Sequence, residues 1–271
     1  DPYIRLIHIQ NLSSCGWLKI EKDKLEDCEE STTCDFSYSV EWSDVQPYNN
    51  NKIAPFYICS FDLECNSGDG SFPQPNRIDD KIIQIGMTFT KYGSSDIVKQ
   101  VMISLNTCDS IDNTEVIECK EEVDLLLKFR DIIQREDLDI LTGYNIFGFD
   151  YTYLMDRAAF LNKMHYESPL RYKKLDDEFY FMSKLEDYKC KLINKSISSS
   201  ALGDNKMNFV DTIGRVNIDL MKVVQRDEKL NSYKLDSVAE YFFKEDVNGN
   251  ETLENNLYKI CSIYIFLLCS I

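Results

Sequence analysis

Histidine, tryptophan, proline and basic charge are all scarce in this chain. Of its 271 residues only two are His, two Trp and six Pro, and 30 Lys and Arg stand against 46 Asp and Glu, a formal net charge of −16. So few cations argue against non-specific binding of duplex DNA, which relies on clustered Lys and Arg to displace counterions. The same deficit still permits a site built from carboxylates that borrows its positive charge from bound metal. His8 and His165 stand alone, which leaves each a structural or solvated role. The ten cysteines (15, 28, 34, 59, 65, 108, 119, 190, 261 and 269) contain no Cys-x-x-Cys pair and have no neighbouring His to complete a zinc site. Free thiols in a reducing, intracellular compartment are the simplest reading. The chain opens on Asp-Pro and a mixed polar run, so no signal peptide is expected. The longest apolar run, residues 257–271, contains Lys259 and falls short of the roughly 20 residues a membrane span needs. No membrane partner is expected.

What is present suits a folded protein: 44% apolar residues, with 16 Tyr and 15 Phe, suffice for one sizeable core and a smaller flanking unit. Residues 1–52 read as short strands, at 3–9, 17–20 and 36–42, the last half-buried by its alternation, and the polar stretch 46–51 marks a boundary. Beyond it, strands are expected over 58–65, 81–90 and 98–105. A helix over 121–134 carries an apolar stripe, a strand follows at 140–144, and a helix begins after Asp150. Residues 167–206, charged and then Ser-rich, read as an insertion or long loop. Apolar segments return at 209–213 and 216–224, and 235, 238, 239 and 242 mark a last helix. Three adjacent strands followed by alternating helix and strand indicate an α/β domain with a mixed sheet, an order that suits a ribonuclease H-like fold. Periodicity alone does not separate it from other α/β folds.

Two short segments could carry chemistry. In a strand, residues i and i+2 share a face, so Asp62 and Glu64 point the same way. Two acids crowded among Ile58, Phe61 and Leu63 repel each other and lose hydration, a cost that a pair of divalent ions about 3.5–4 Å apart would relieve. An isolated Asp-x-Glu is nevertheless more often a solvated strand end than a site. The second segment is Gly143-Tyr-Asn-Ile-Phe-Gly-Phe-Asp150, where a strand ends in a turn and an acid stands at the start of a helix. Asp150 reads equally as a helix cap and as a metal ligand. Asn145 offers a donor and an acceptor, and Phe149 a face on which an unpaired base could stack.

Together these segments resemble a known family. Phe61-Asp-Leu-Glu-Cys65 is similar to the first exonuclease motif of family B DNA polymerases, and Asn145-Ile-Phe-Gly-Phe-Asp150 to the second. Ile53-Ala-Pro-Phe, Phe72-Pro-Gln-Pro, Ile82-Ile-Gln-Ile-Gly, Gly214-Arg-Val-Asn-Ile-Asp-Leu and Ser232-Tyr-Lys-Leu-Asp-Ser-Val-Ala extend the likeness over residues 1 to about 250. The likeness is to eukaryotic delta-type polymerases and their relatives in large DNA viruses. The resemblance implies a partial β-rich N-terminal domain at 1–52 and a ribonuclease H-like 3′–5′ exonuclease domain at 53–271. It implies Asp62, Glu64 and Asp150 as ligands of two Mg²⁺ or Mn²⁺ ions that activate water and stabilise the leaving 3′ oxygen. Asn145 and Phe149 would hold a single-stranded primer end. It also implies a polymerase domain elsewhere as partner and a nuclear or viral replication compartment, and leaves any processivity factor unread.

The family's third motif, Tyr-x-x-x-Asp, is missing. The resemblance implies that this motif supplies the last of four metal-ligating acids and a Tyr that helps position the water, so it leaves open whether the chain cleaves DNA as it stands. Tyr258 has the right neighbourhood, but Ser262 occupies the fourth place after it and nothing beyond Glu254 is acidic. Truncation and decay of the site are the two explanations, and the abrupt loss of family-like sequence favours truncation. A catalytically inactive module that holds single-stranded DNA, a free-standing exoribonuclease of the same superfamily, and an unrelated α/β domain are the alternatives.

Overall fold

In the computed structural model of the chain, which describes residues 1–242 apart from 30, 95 and 200–202, residues 3–9 belong to a helix rather than the expected strand. Helix α1, Pro2–Ile9, begins where the Asp1 carboxylate accepts the Tyr3 N–H at 2.8 Å. Pro2 stands in the first turn, where its missing donor costs nothing. Strand β1, Trp17–Lys19, is followed by the two-residue strands β2, Glu26–Asp27, and β3, Tyr38–Ser39, and then by β4, Gln46–Tyr48. β1 pairs with β4 and β2 with β3, both antiparallel. The half-buried strand expected over 36–42 therefore shrinks to two residues. Its alternation buries nothing, since Phe36 and Trp42 are both exposed. These elements form one unit, Asp1–Ala54; a second, larger unit begins at Pro55.

The second unit is built on a six-stranded sheet. Its strands are β5, Tyr57–Cys65; β6, Ile82–Lys91; β7, Ile97–Leu105; β8, Glu115–Cys119; β9, Ile140–Gly143; and, after the β10–β11 hairpin described below, β12, Val216–Asp219. They lie in the order β12-β9-β5-β6-β7-β8. β6 runs antiparallel to both β5 and β7, whereas β9 is parallel to β5 and to β12, and β8 is parallel to β7. β8 was not anticipated from the sequence. It is an edge strand with two Glu in five residues and only Cys119 buried, so it lacks a readable apolar face.

Helix α2, Glu122–Glu136, and helix α3, Asp150–Glu167, cover the sheet with Leu126, Phe129, Ile133, Tyr151 and Leu154. Phe61 joins sheet to helices, its ring 5.3 Å from Phe129 and 5.4 Å from Tyr151. Residues 167–206 are not the long loop expected. Leu175, Phe179, Met182 and Cys190 are buried in the main core. Strands β10, Leu192–Ser199, and β11, Gly203–Val210, pair as an antiparallel hairpin. The anchors are irregularly spaced among charges, so no period announces them. Helices α4, Leu220–Asp227, and α5, Leu235–Phe242, enclose a second small cluster around Tyr144, Val224 and Val238. Among the described residues no helix is long and apolar enough to cross a membrane; the apolar run 257–271 and the Tyr258/Ser262 segment lie outside them.

Candidate active site

The parallel strands β5, β9 and β12 share one direction, and their carboxyl ends are where ligand sites of α/β sheets gather. Asp62 and Glu64 lie at the end of β5. Along that strand Phe61 and Leu63 are buried, while Asp62 is half-buried and Glu64 exposed, so the two acids share the other face as the period of two requires. The register of β5 on β6 shifts between Glu64 and Cys65, an irregularity of the kind that re-aims side chains.

β9 ends at Gly143, opposite Asp219 of β12. A Cβ at 143 would stand 2.5 Å from the carbonyl oxygen of Phe61 on β5, so only glycine lets β9 and β5 approach there. The chain then turns through Asn145, whose φ of 64° is left-handed. The Asn145 side chain folds back over Gly148, where a Cβ would lie 2.2 Å from its Oδ1. Phe149 takes the N-cap position of α3 without a side-chain cap bond, and Asp150 is the first helical residue.

The capping alternative for Asp150 is not what the structure contains. Its side chain is 2% exposed, and its Oδ1 accepts the backbone N–H of Leu63 at 3.2 Å, between the two acids of β5. Burial, and then the charge of Asp62, push the Asp150 carboxyl well above its usual range; the Leu63 N–H opposes them. Burial and the Glu64 charge raise Asp62 to about 7, again against the Leu63 N–H. Among the described residues no ion pair reaches Asp62, Glu64 or Asp150. Nor does any group of three or more His, Cys, Asp or Glu there stand together as a ready metal site. The acids approach in mutually repelling pairs, Asp62 with Glu64 and Asp150 with Asp62. Oxygen-only donors with buried, uncompensated negative charge fit a hard divalent cation.

A pH dependence follows from Asp62. Its folded-state value, about 7, lies above the unfolded value near 3.8, so the folded chain holds the extra proton between these limits. Stability is then greatest below about pH 4 as far as this group is concerned, and is lost as pH rises towards 7. In EDTA the thermal midpoint is expected to fall between pH 5 and 8, and Mg²⁺ added at pH 8 should restore it. A midpoint that rises over this window, or ignores Mg²⁺, would contradict the electrostatics.

A cleft of about 700 Å³ is lined by Phe72, Gln74, Phe149, Tyr153, Phe160 and Lys163; it reaches Phe149, the residue before Asp150, but none of the three acids is in its lining. Phe72 meets Phe149 edge-on at 5.4 Å, and Phe149 lies 5.2 Å from Tyr153. The wall bearing Phe72 is tied down by residues that sequence reasoning missed. Asp80 accepts the N–H groups of Gly68 at 2.9 Å and Gln74 at 2.8 Å, and the Tyr153 hydroxyl donates to the Asp80 carbonyl at 2.8 Å. Arg157, 1% exposed, forks onto Glu122 with both bonds at 2.8 Å and donates to the carbonyls of Pro75, Arg77 and Ile78. Asp219 was passed over as well, although a strand ending in an acid before a helix is the signal that marked Asp150. Elsewhere, His165 pairs with the Tyr172 carbonyl at 2.7 Å, and the eight cysteines among the described residues are free. Burial pushes the Cys65 thiol up to about 12, which leaves it no nucleophilic role.

Comparison with known proteins bears on the family and the fold. The family described as DNA polymerase family B, exonuclease domain, matches residues 1–238. The chain is similar to the DNA polymerase of Acanthamoeba polyphaga mimivirus, 37% identical over 90% of this chain and 17% of that protein. It is likewise similar to the DNA polymerase delta catalytic subunit of Mesocricetus auratus, 30% identical over 98% of this chain and 24% of that one. Among solved structures, the family B DNA polymerase from the hyperthermophilic archaeon Pyrobaculum calidifontis superposes with a TM-score of 0.58 at 20% identity. That match covers 98% of this chain and 29% of the other. It shows the fold, the ribonuclease H-like mixed-sheet α/β domain expected from the order of elements. The chain spans less than a third of the length of each of these relatives.

Proposed function

Because the chain belongs to the exonuclease-domain family of the family B DNA polymerases, we propose that it removes the 3′-terminal nucleotide of single-stranded primer DNA as the proofreading part of such an enzyme. Asp62, Glu64 and Asp150 would hold two Mg²⁺ or Mn²⁺ ions. When bound, such ions activate water and stabilise the leaving oxygen. The observation that carries this reading is Asp150, buried without a basic partner among the described residues and turned onto the Leu63 amide between the two acids of β5. The primer end would lie in the aromatic cleft, its last bases against Phe149 and Phe72, since base–aromatic stacking is indifferent to sequence. Residues 1–52 would be part of the polymerase's N-terminal domain. Nucleotide addition, processivity partners and a nuclear or viral replication compartment belong to the whole protein and extend the same proposal.

The test is shortening of a 5′-labelled single-stranded oligonucleotide by the full chain with Mg²⁺ or Mn²⁺. Stepwise loss from the 3′ end is expected on DNA, and Asp62→Ala should slow it by at least ~100-fold, the upper end of the range seen when even a ligand's outer-shell support is removed. Equal degradation by both proteins would refute the assignment.

A further inference from the structure

We propose that Asp219 is a positioning residue, which holds the turn over residues 145–150 in the conformation that brings Asp150 onto β5. Its consequence for metal binding rests on the nuclease reading above; the clamp itself does not. Asp219 ends β12, is 2% exposed, and divides its carboxylate among three backbone donors. Oδ1 accepts the Met221 N–H at 2.9 Å and the Asn145 N–H at 3.0 Å, and Oδ2 accepts the Phe147 N–H at 2.9 Å. The first bond is an ordinary N-cap of α4, and capping alone needs no more than that. The other two bonds reach more than 70 residues back along the chain.

The turn they reach needs outside support. Asn145 holds a left-handed backbone, a conformation that costs free energy in a residue with a Cβ. Phe149 contributes no side-chain cap bond, and the turn's own carbonyls serve only its later amides: Gly148 and Phe149 donate to Asn145, and Tyr151 to Ile146. The earlier amides of the turn, Asn145 and Phe147, find their acceptors on Asp219. The chain of contacts then runs from β12 through the turn to Asp150 and on to Leu63, so the first and second acidic segments are set against each other from a third strand. The Thr142 hydroxyl, donating to the Ile218 carbonyl at 2.8 Å, and the Tyr151 hydroxyl, on Asn217, fasten the same strand to both sides of the turn.

Asp219→Ser separates the two jobs. A serine hydroxyl can still cap α4, but it is too short to bond residues 145 and 147. Val224→Ala, which thins the packing of α4 without touching the turn, serves as the control. In amide hydrogen exchange, Asp219→Ser is expected to raise the rates of Asn145, Phe147 and Leu63 at least ~10-fold while Met221 stays protected. In Mn²⁺ titrations followed by electron paramagnetic resonance, affinity should fall ~10–100-fold, the range for outer-shell support of a metal site. Val224→Ala should change neither. Unchanged protection at 145, 147 and 63 would overturn the clamp, and so would a Mn²⁺ affinity equal to that of Val224→Ala. A wild-type chain whose Mn²⁺ binding is indifferent to Asp62→Ala would instead overturn the nuclease reading, and the exchange pattern alone would then decide the role of Asp219.

Discussion

Asp150→Asn is expected to make the metal-free chain more stable and the metal-bound chain less capable. The substitution keeps the size of the side chain and an oxygen that can accept the Leu63 N–H, and removes only the charge. That charge is 2% exposed and faces the charge of Asp62, and burial is the larger of the two burdens on it. Relieving it should stabilise the apo protein by on the order of 2 kcal/mol at pH 8, with the magnitude set by how far water and the amide already offset the burial. For a domain of this size that is a rise of about 4–8 °C in the thermal midpoint in EDTA. The sign reverses with cation. Mn²⁺ should raise the midpoint of the wild type and leave that of the variant nearly unmoved, since a ligand that binds only the folded state stabilises it by mass action. Cleavage of single-stranded DNA should drop by at least ~100-fold. At pH 4 the stability gap should close, because the wild-type carboxyl is then protonated and as neutral as the amide. A variant less stable than wild type at pH 8 in EDTA would mean that the charge at 150 is not a burden, and the case for a cation there would lose its physical basis.

The second large effect is structural. Arg157→Met is expected to cost about 3–5 kcal/mol, a fall in the midpoint of roughly 6–20 °C, because it strands the Glu122 carboxylate in the core without its partner. Arg157 and Glu122 side chains are 1% and 4% exposed and joined by two bonds of 2.8 Å. Glu122 also accepts the Ile82 N–H at 2.8 Å, so the loss would reach the first residue of β6. Three carbonyls of the loop beneath Phe72 would lose their donor at the same time. Adding Glu122→Gln removes the stranded charge while keeping an acceptor for Ile82. The double variant should therefore recover at least ~1 kcal/mol, a non-additivity proper to residues in direct contact. If the two losses simply add, the pair is not a coupled unit and the loop is held by other contacts.

The strands around the acids were readable because local rules governed them. β5 is a short apolar strand interrupted by two acids, β6 and β7 are rich in β-branched residues, and α2 carries an apolar stripe, so period and composition agreed with the tertiary result. The reading failed where a local signal was outweighed or missing. Over residues 3–9 the Asp1 cap and Pro2 overrode apparent strand character. Over 167–206, buried anchors at 175, 179, 182 and 190 are spaced by the shape of the core they enter rather than by any helical or strand period.

Amino-acid order alone determined the two acidic segments, their residue types and the mixed α/β sequence of elements, because each rests on spacing within a few residues. Only the tertiary structure decided that Asp150 faces Leu63 instead of capping its helix, that Asp219 serves a turn more than 70 residues away, and that Arg157 and Glu122 form a buried pair beneath the cleft wall. Those outcomes depend on which distant donor meets a buried charge. Burial makes an unmatched carboxylate or guanidinium too costly to leave alone, and the partner that resolves the cost is chosen by topology, which no local pattern encodes.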